Sequence, residues 1–428
     1  MKTFGIYLAF PPNADLRTEG LGHYLAGFLN AARDRTDSRF VIACPGWMIK
    51  SLHELFERAG FPPKAFEIIS PKTEPGIPRT EESEAKLLGD QINARKEISA
   101  WFAPTAFWPH FNEIKAPRLT CVPDIVVHEF PVAFSSVNDD RFPSLFKSLQ
   151  RTIEGGDRFV TYSEDIKYRT LVDRYRIAPD AIAVVPHGAN RLDGLIAVSG
   201  FPDDRAASDL FCRNLFRVAL QKAIGTVNAF HFDSGDVNFL FYASQFRPNK
   251  NIISLLKTYE YLLRRRYIGH KLVLTGNPNN LPEIAQFIKG RNLQNDVLCL
   301  HGLSAQELAA CYRLADLAVN PSLSEGGCPF TLTEALSVGT PAVMARIAVT
   351  EEVVTDRELQ DLMLFDPYDW QDMAARIEWA LKNRDVLLRK QHQLYEKLAE
   401  RSWTTVVGEY VAIMDGMSGG APRIEGTV

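Results

Sequence analysis

Glu325 and Glu334 are separated by Gly326, Gly327, Cys328, Pro329 and one short apolar run. A buried carboxylate is costly unless something pairs with it. Either both are surface residues, or they hold a ligand rich in hydroxyls. The step Glu325-Gly326-Gly327 follows a strand-like run, "LAVNPS", and leads into a helix whose first turn can take Pro329. Such a step offers backbone N–H groups and the positive end of a helix dipole to an anion. A second loop, "QFRPNKN", carries Arg247 and Lys250. Both can reach one phosphate cluster, Arg with a forked contact and Lys as a point charge. Together these features suit a diphosphate. A carboxylate aimed at a diphosphate would be repelled, so each glutamate must look past it. Glu334 would then accept hydrogen bonds from a ribose and Glu325 from a transferred sugar, each bond contributing ~1.5–3 kcal/mol. For either glutamate alone, a helix-start acid favoured by the dipole is the alternative.

Residues so far apart in sequence can meet only if a regular framework brings their loops to one edge. Short apolar runs alternate with amphipathic stretches in the front half: strands over 4–10, 40–44, 119–122, 158–162 and 183–185, with a helix over 21–33. This alternation predicts a parallel sheet with crossover helices. Residues 72–97 read as a loop leading into a surface helix, and "VVPHGAN" closes the first series with turn chemistry. A second series begins at "VNFLFYAS", followed by a helical stripe from Ile252 to Leu263, the strand "KLVLTG", and a capping box at Ser304 and Glu307. Pro329 and Gly339 bracket a helix of about ten residues.

The fold class is therefore α/β, with two facing Rossmann-like doubly wound domains and a cleft between them. The expected division is 1–190 for an N-terminal Rossmann-like domain, 191–235 for a connecting segment with a helix, and 236–395 for a C-terminal Rossmann-like domain. A helix over 396–416 is expected to pack back toward the first domain, and 417–428 reads as a flexible tail. Ligands of such sheets bind at the carboxyl ends of the strands.

Length and composition agree. A chain of 428 residues suits two domains, and 46% hydrophobic with 23% charged residues is a globular composition. A net charge of −4 argues against nucleic acid as a partner. Arg264-Arg265-Arg266 reads as a solvated helix end. The six cysteines show no CxxC pair, as expected of small core residues in a reducing, cytoplasmic setting. No run approaches the ~20 apolar residues of a membrane span. Peripheral contact at the inner face of a membrane stays open.

The ordered motifs resemble family 4 of the retaining glycosyltransferases, which have the GT-B fold. "NPSLSEGG", "TEALSVGTPAV" and "TEEVV" occur in the family's order, and "ASQFRPNKN" resembles its phosphate loop. "YSEDIKYRTLVDRYRIAPDAIAVVPHGAN", "GLSAQELAACYRLADLAVNPS" and "LFDPYDWQDMAARI" match as well, with a weaker "EGLGHYLAGFL" near the start. The resemblance implies that Glu325 contacts the donor sugar, Glu334 the ribose, and Arg247 and Lys250 the diphosphate. Gly326, Gly327, Cys328 and Pro329 would form the donor turn. Gly20 and Gly22 would let the first loop approach the phosphates; an ordinary strand-to-helix turn is the alternative. Base recognition is expected near "LTGNPNN" and "LHGLS", at Gly276 and Gly302.

Three departures from the family pattern bear on these roles. The two glutamates stand one residue further apart than usual, implying a bulge over 326–328. Gln245 occupies the usual place of the phosphate-loop arginine, and Arg247 is a displaced substitute. Many members carry His-Asp after a front-half strand, where this chain has Pro123-Asp124; the resemblance makes Asp124 and His128 catalytic candidates and His110 a further substitute, a structural role being the commoner alternative for a lone histidine.

The implied activity is that of a retaining hexosyltransferase moving a sugar, mannose as first choice from "SQFRP", to a glycan or lipid-linked acceptor. No Asp-x-Asp occurs, so no metal and no cofactor are expected. Two alternatives share the fold: a nucleotide-sugar 2-epimerase, and a non-catalytic scaffold that binds nucleotide sugars.

Overall fold

The computed structural model describes residues 1–12, 16, 20–62, 64–71, 80–201, 204–224 and 237–418. The expected loop over 72–79, much of the connecting segment after 224 and the tail from 419 lie outside the described residues. The chain divides into two compact units, Met1–Gly188 with Ser402–Val428, and Ala189–Arg401.

The first unit is built on strands β1 (Lys2–Tyr7), β2 (Ser38–Ala43), β3 (Glu67–Ile69), β4 (Ile98–Ala103), β5 (Arg118–Cys121), β6 (Arg158–Thr161) and β7 (Ile182–Val184). All pairings are parallel, in the order β3-β2-β1-β4-β5-β6-β7. Covered on both faces by crossover helices, these strands bury most of their residues, which is why they read as continuous apolar runs. β4 is absent from the expected strands for that reason. Its "ISAWFA" runs into a longer aromatic stretch without period-2 alternation, and Trp101 and Phe102 are fully buried. β3 is absent from them too: its three residues, "EII", begin with a charged glutamate and bury only Ile69.

The expected helix over 396–416 is divided in the structure. Residues 396–400 end the helix Arg384–Glu400, and a new helix, Trp403–Ser418, begins after a break at Ser402. Ser402 Oγ accepts the Thr405 N–H at 3.1 Å, a side-chain cap that starts the second helix. That helix buries Val406, Val407, Tyr410 and Met414 in the core of the first unit, where Tyr410 meets Phe28 and Phe102 edge-on.

The second unit carries β8 (Phe239–Tyr242), β9 (Lys271–Leu274), β10 (Val297–Cys299), β11 (Leu317–Asn320), β12 (Ala342–Ala345) and β13 (Leu364–Phe365). Again every pairing is parallel, in the order β10-β9-β8-β11-β12-β13. The helix Ile252–Arg265 buries Ile252, Leu255, Leu256, Tyr259 and Leu262, the stripe its sequence predicts. The box at Ser304 and Glu307 closes reciprocally: Ser304 Oγ accepts from Glu307 N and Glu307 Oε2 from Ser304 N. Lys222 binds the other oxygen of that glutamate and Arg313 binds Asp209 at 2.7 Å, fixing the helix Arg205–Ile224 against the helix Ala305–Leu314. All six cysteines are free. Among the described residues no helix is long and apolar enough to cross a membrane.

Candidate functional site

In an open parallel sheet the crevice opens where strand order reverses, between neighbours whose crossovers leave in opposite directions. In the second unit that point lies between β8 and β11, which pair through Leu317 with Leu240 and Ala318 with Phe241. The loop after β8 holds Arg247 and Lys250; the loop after β11 holds Glu325. The topology thus brings together two loops about seventy-five positions apart in the chain, as the 2.7 Å ion pair from Lys250 Nζ to Glu325 Oε1 shows.

Local chemistry fixes both loops. Pro248 opens a single 3-10 turn, Pro248–Lys250, which ends on Asn251 in the left-handed region (φ 54°), so the chain turns sharply into the helix Ile252–Arg265. Asn249 is buried; its side-chain amide Nδ2 donates to the Ser324 carbonyl at 3.4 Å, and its main-chain carbonyl accepts from Leu323 N at 2.8 Å. Tyr242 OH and Ser322 Oγ meet at 2.8 Å, and Asn320 bonds both Ser322 N and Thr331 Oγ1. These contacts clamp the two loops before any ligand arrives.

The ion pair sits in a largely dry setting, with the Lys250 and Glu325 side chains 20% and 17% exposed. Burial works against the lysine charge, but the Glu325 carboxylate and the neighbouring Tyr242 together outweigh it, and Lys250 is held above its ordinary value. Burial likewise pushes the Tyr242 phenol up, and raises the neighbouring Cys328 thiol to about 12, which leaves that sulfur protonated and inert. Arg247 is exposed at the start of the 3-10 turn.

Glu334 lies inside the helix Phe330–Ser337, for which Pro329 is the N-cap, and Gly339 follows the end with φ +80°. The helix has eight residues, shorter than its sequence brackets suggest. Glu334 is 5% exposed, and its Oε1 accepts from Asn190 Nδ2 at 2.9 Å. Burial, then the Glu334 charge, hold the Tyr312 phenol well above its ordinary value. Gly326, Gly327 and Pro329 are buried in the turn between the two glutamates, and Cys328 is half-buried. Gly276 follows β9, and a Cβ there would lie 2.0 Å from the Phe246 ring, so only glycine lets the loop after β8 close down. Gly302 is exposed, with φ +71°.

In the first unit the sequence candidates remain scattered. Gly20 opens the helix Gly20–Arg33 with open space around it, whereas a Cβ on Gly22 would strike the Leu16 carbonyl at 1.8 Å. Asp124, after β5, accepts from Val126 N at 3.4 Å. His128 is buried, with Nε2 at 2.9 Å from the Phe146 carbonyl and Nδ1 on Tyr175 OH. A carbonyl only accepts, so Nε2 carries the proton and Nδ1 accepts from Tyr175. The ring packs against Phe146 at 3.9 Å, and burial lowers its pKa. Both nitrogens of His128 are therefore engaged within the unit as a neutral structural histidine. His110 Nδ1 meets Glu113 at 3.0 Å.

Asn190, Asn249, Tyr242 and Ser322 were not among the residues expected from sequence. Tyr242 and Ser322 lie in the strand ends already singled out, so their involvement could have been read there. Asn190 contacts a residue 144 positions away, and nothing in "VVPHGAN" signals that contact.

Residues 228–401 match the family model of the glycosyl transferases group 1. An MMP alpha-(1->4)-mannosyltransferase of Mycolicibacterium hassiacum is 32% identical over 172 residues, 39% of this chain and 40% of that protein. A lipopolysaccharide 1,2-N-acetylglucosaminetransferase of Salmonella typhimurium is 25% identical over 187 residues, 41% of this chain and 47% of that protein. The chain thus spans less than half the length of these curated relatives. The structure of Anabaena Alr3699/HepE in complex with UDP-glucose superposes with a TM-score of 0.67 at 14% identity, over 97% of this chain and 100% of that one. The chain has the α/β GT-B fold, and the match over residues 228–401 supports the glycosyltransferase family.

Proposed function

We propose that this protein is a retaining, metal-independent glycosyltransferase of the family 4 kind. It takes a sugar from a nucleoside-diphosphate donor and passes it to a glycan or lipid-linked acceptor, with mannose the first choice of sugar. The observation that carries the reading is the ion pair of Lys250 with Glu325 at the switch point of the second sheet, with Glu334 on the next helix. A cation and a carboxylate so placed can divide one donor between them. Lys250 and Arg247 take the diphosphate, Glu325 the sugar hydroxyls and Glu334 the ribose. The relatives named as mannosyl- and N-acetylglucosaminyltransferases, and the neighbour bound to UDP-glucose, support the donor class.

In the reaction the bond from the anomeric carbon to the β-phosphate oxygen breaks and the acceptor oxygen bonds that carbon on the same face. The acceptor proton passes to the departing phosphate. Negative charge grows on the leaving diphosphate, where Lys250 and Arg247 stabilise it; such preorganised charge is often the largest catalytic contribution. The absence of an Asp-x-Asp pair supports a site that uses side-chain cations in place of a metal. The family's front-half histidine finds no counterpart in His128, whose ring is fully engaged, and the proton route through the leaving group needs none.

The test is a turnover assay with UDP-, GDP- and ADP-sugars and a mixed glycan acceptor extract, following nucleoside diphosphate release and the anomeric configuration of the product by NMR. Transfer with an α-linked product from an α-donor supports the reading. Release of a free epimerised sugar without acceptor points to the 2-epimerase chemistry, and binding without any turnover to the scaffold.

A further inference from the structure

The stretch that opens the second unit is fastened along the helix Phe330–Ser337 by three hydrogen bonds. Asn190 N donates to Thr333 Oγ1 at 3.2 Å, Asn190 Nδ2 to Glu334 Oε1 at 2.9 Å, and Leu192 N to Ser337 Oγ at 3.0 Å. Two of these use main-chain N–H groups and would survive any side chain at position 190. The third depends on the asparagine amide, and it alone reaches a candidate ligand-binding group. Glu334 is 5% exposed, so its carboxylate needs donors from the protein. Asn190 supplies one without supplying a positive charge. The contrast with Glu325, held by the Lys250 ammonium, is chemical: Glu334 is oriented but not neutralised.

We propose that Asn190 is a positioning residue for Glu334. Its amide holds Oε1 and thereby aims the carboxylate at the ribose hydroxyls of a nucleoside diphosphate. The inference rests on the reading of Glu334 as the ribose contact. A hydrogen bond to a charged acceptor strengthens when that acceptor is fixed beforehand, because no rotamer has to be ordered on binding.

Calorimetry tests this with the nucleoside diphosphate that binds best among UDP, GDP and ADP, and with its 2′,3′-dideoxy analogue. The proteins are wild type, Asn190→Ala, Asn190→Asp, Glu334→Ala and the Asn190→Ala/Glu334→Ala double variant. Asn190→Asp keeps the shape of the side chain but sets an acceptor against an acceptor, so it reports on the bond even if the alanine variant folds poorly. Both Asn190 variants are expected to raise Kd about tenfold for the ribonucleotide and less than about twofold for the dideoxy analogue. The double variant is expected to bind no more weakly than Glu334→Ala. Equal losses for both nucleotides, additive losses in the double variant, or no loss at all would each overturn the proposal by making Asn190 merely structural. A wild type that binds no nucleoside diphosphate overturns the donor reading and this inference with it. Normal wild-type binding with indifferent Asn190 variants overturns the inference alone.

Discussion

The two units are built on the same plan of parallel strands with a reversal of order, yet Lys250, Glu325 and Glu334 in the second and His128 in the first are partnered in opposite ways. At the β8–β11 reversal Lys250 and Glu325 form an ion pair between two loops, and Glu334 stands one helix further on with a neutral amide on one oxygen. Around β5 of the first unit His128 spends both ring nitrogens on Tyr175 and Phe146. The first arrangement keeps charge at a strand end where a ligand can exchange for an internal partner. The second saturates its polar atoms and keeps the ring neutral. On the proposed reading donor chemistry belongs to the second unit, and the first unit keeps His128 in a stabilising network.

The comparison is broken most easily at Lys250. Lys250→Ala removes the charge proposed to face the diphosphate and takes away the Lys250 partner of Glu325. Steady-state kinetics are expected to show turnover reduced on the order of 10²–10³-fold. A change of less than about threefold would put the catalytic charge elsewhere. Next comes Glu334→Ala, expected to weaken nucleoside diphosphate binding about 10- to 100-fold by calorimetry through loss of a charge-assisted bond. An unchanged affinity would remove Glu334 from the ribose.

In the first unit the expected effects are on stability. His128→Phe keeps a ring against Phe146 but strips the Tyr175 hydroxyl and Phe146 carbonyl of their partner. Urea unfolding should show a loss of about 1–3 kcal/mol, with nucleoside diphosphate affinity unaltered. A loss of affinity instead would give His128 a role in binding. The smallest effect concerns pH. Burial depresses the folded pKa of His128, opposed by the Phe146 carbonyl and Glu154 and aided by Arg174. The unfolded chain takes up the proton first, so the stability this residue contributes is present above the ordinary histidine value of about 6.5 and is lost as pH falls below it toward the folded value. His270 in the second unit is depressed too, by burial, so the informative quantity is the difference between wild type and His128→Gln. That difference should shrink between about pH 6.5 and the onset of general acid unfolding. A pH-independent difference would mean that the ring is not held neutral.

Much of this was legible in the sequence, and what was missed has local causes in one place and long-range ones in another. The strands 40–44, 119–122, 158–162 and 183–185 appear within two residues of their observed bounds, because short apolar runs between amphipathic helices carry their own signal. The capping box at Ser304 and Glu307 was equally plain, being a local motif. Arg247, Lys250 and Glu325 stood out because each sits in a short contiguous motif at a strand end, and Glu334 because it is an acid inside the apolar helix that follows. β4 stayed hidden inside an aromatic run. Asn190 stayed hidden because its meaning is a contact across most of a domain, and sequence periodicity does not carry contacts of that range. His128 is the converse case: the resemblance made it a candidate substitute for the family histidine, while the commoner structural role of a lone histidine fits the Tyr175 and Phe146 contacts on its two nitrogens.

The central claim is that the second unit binds a nucleoside diphosphate through the Lys250–Glu325 pair. The most direct measurement is a thermal-shift panel of UDP, GDP, ADP, CDP and dTDP, with NAD as control, on wild type and Lys250→Ala. At about 100 times the dissociation constant, one nucleoside diphosphate should stabilise the wild type by about 2.7 kcal/mol, and the variant by much less. No shift with any nucleoside diphosphate, or an equal shift in Lys250→Ala, would contradict it.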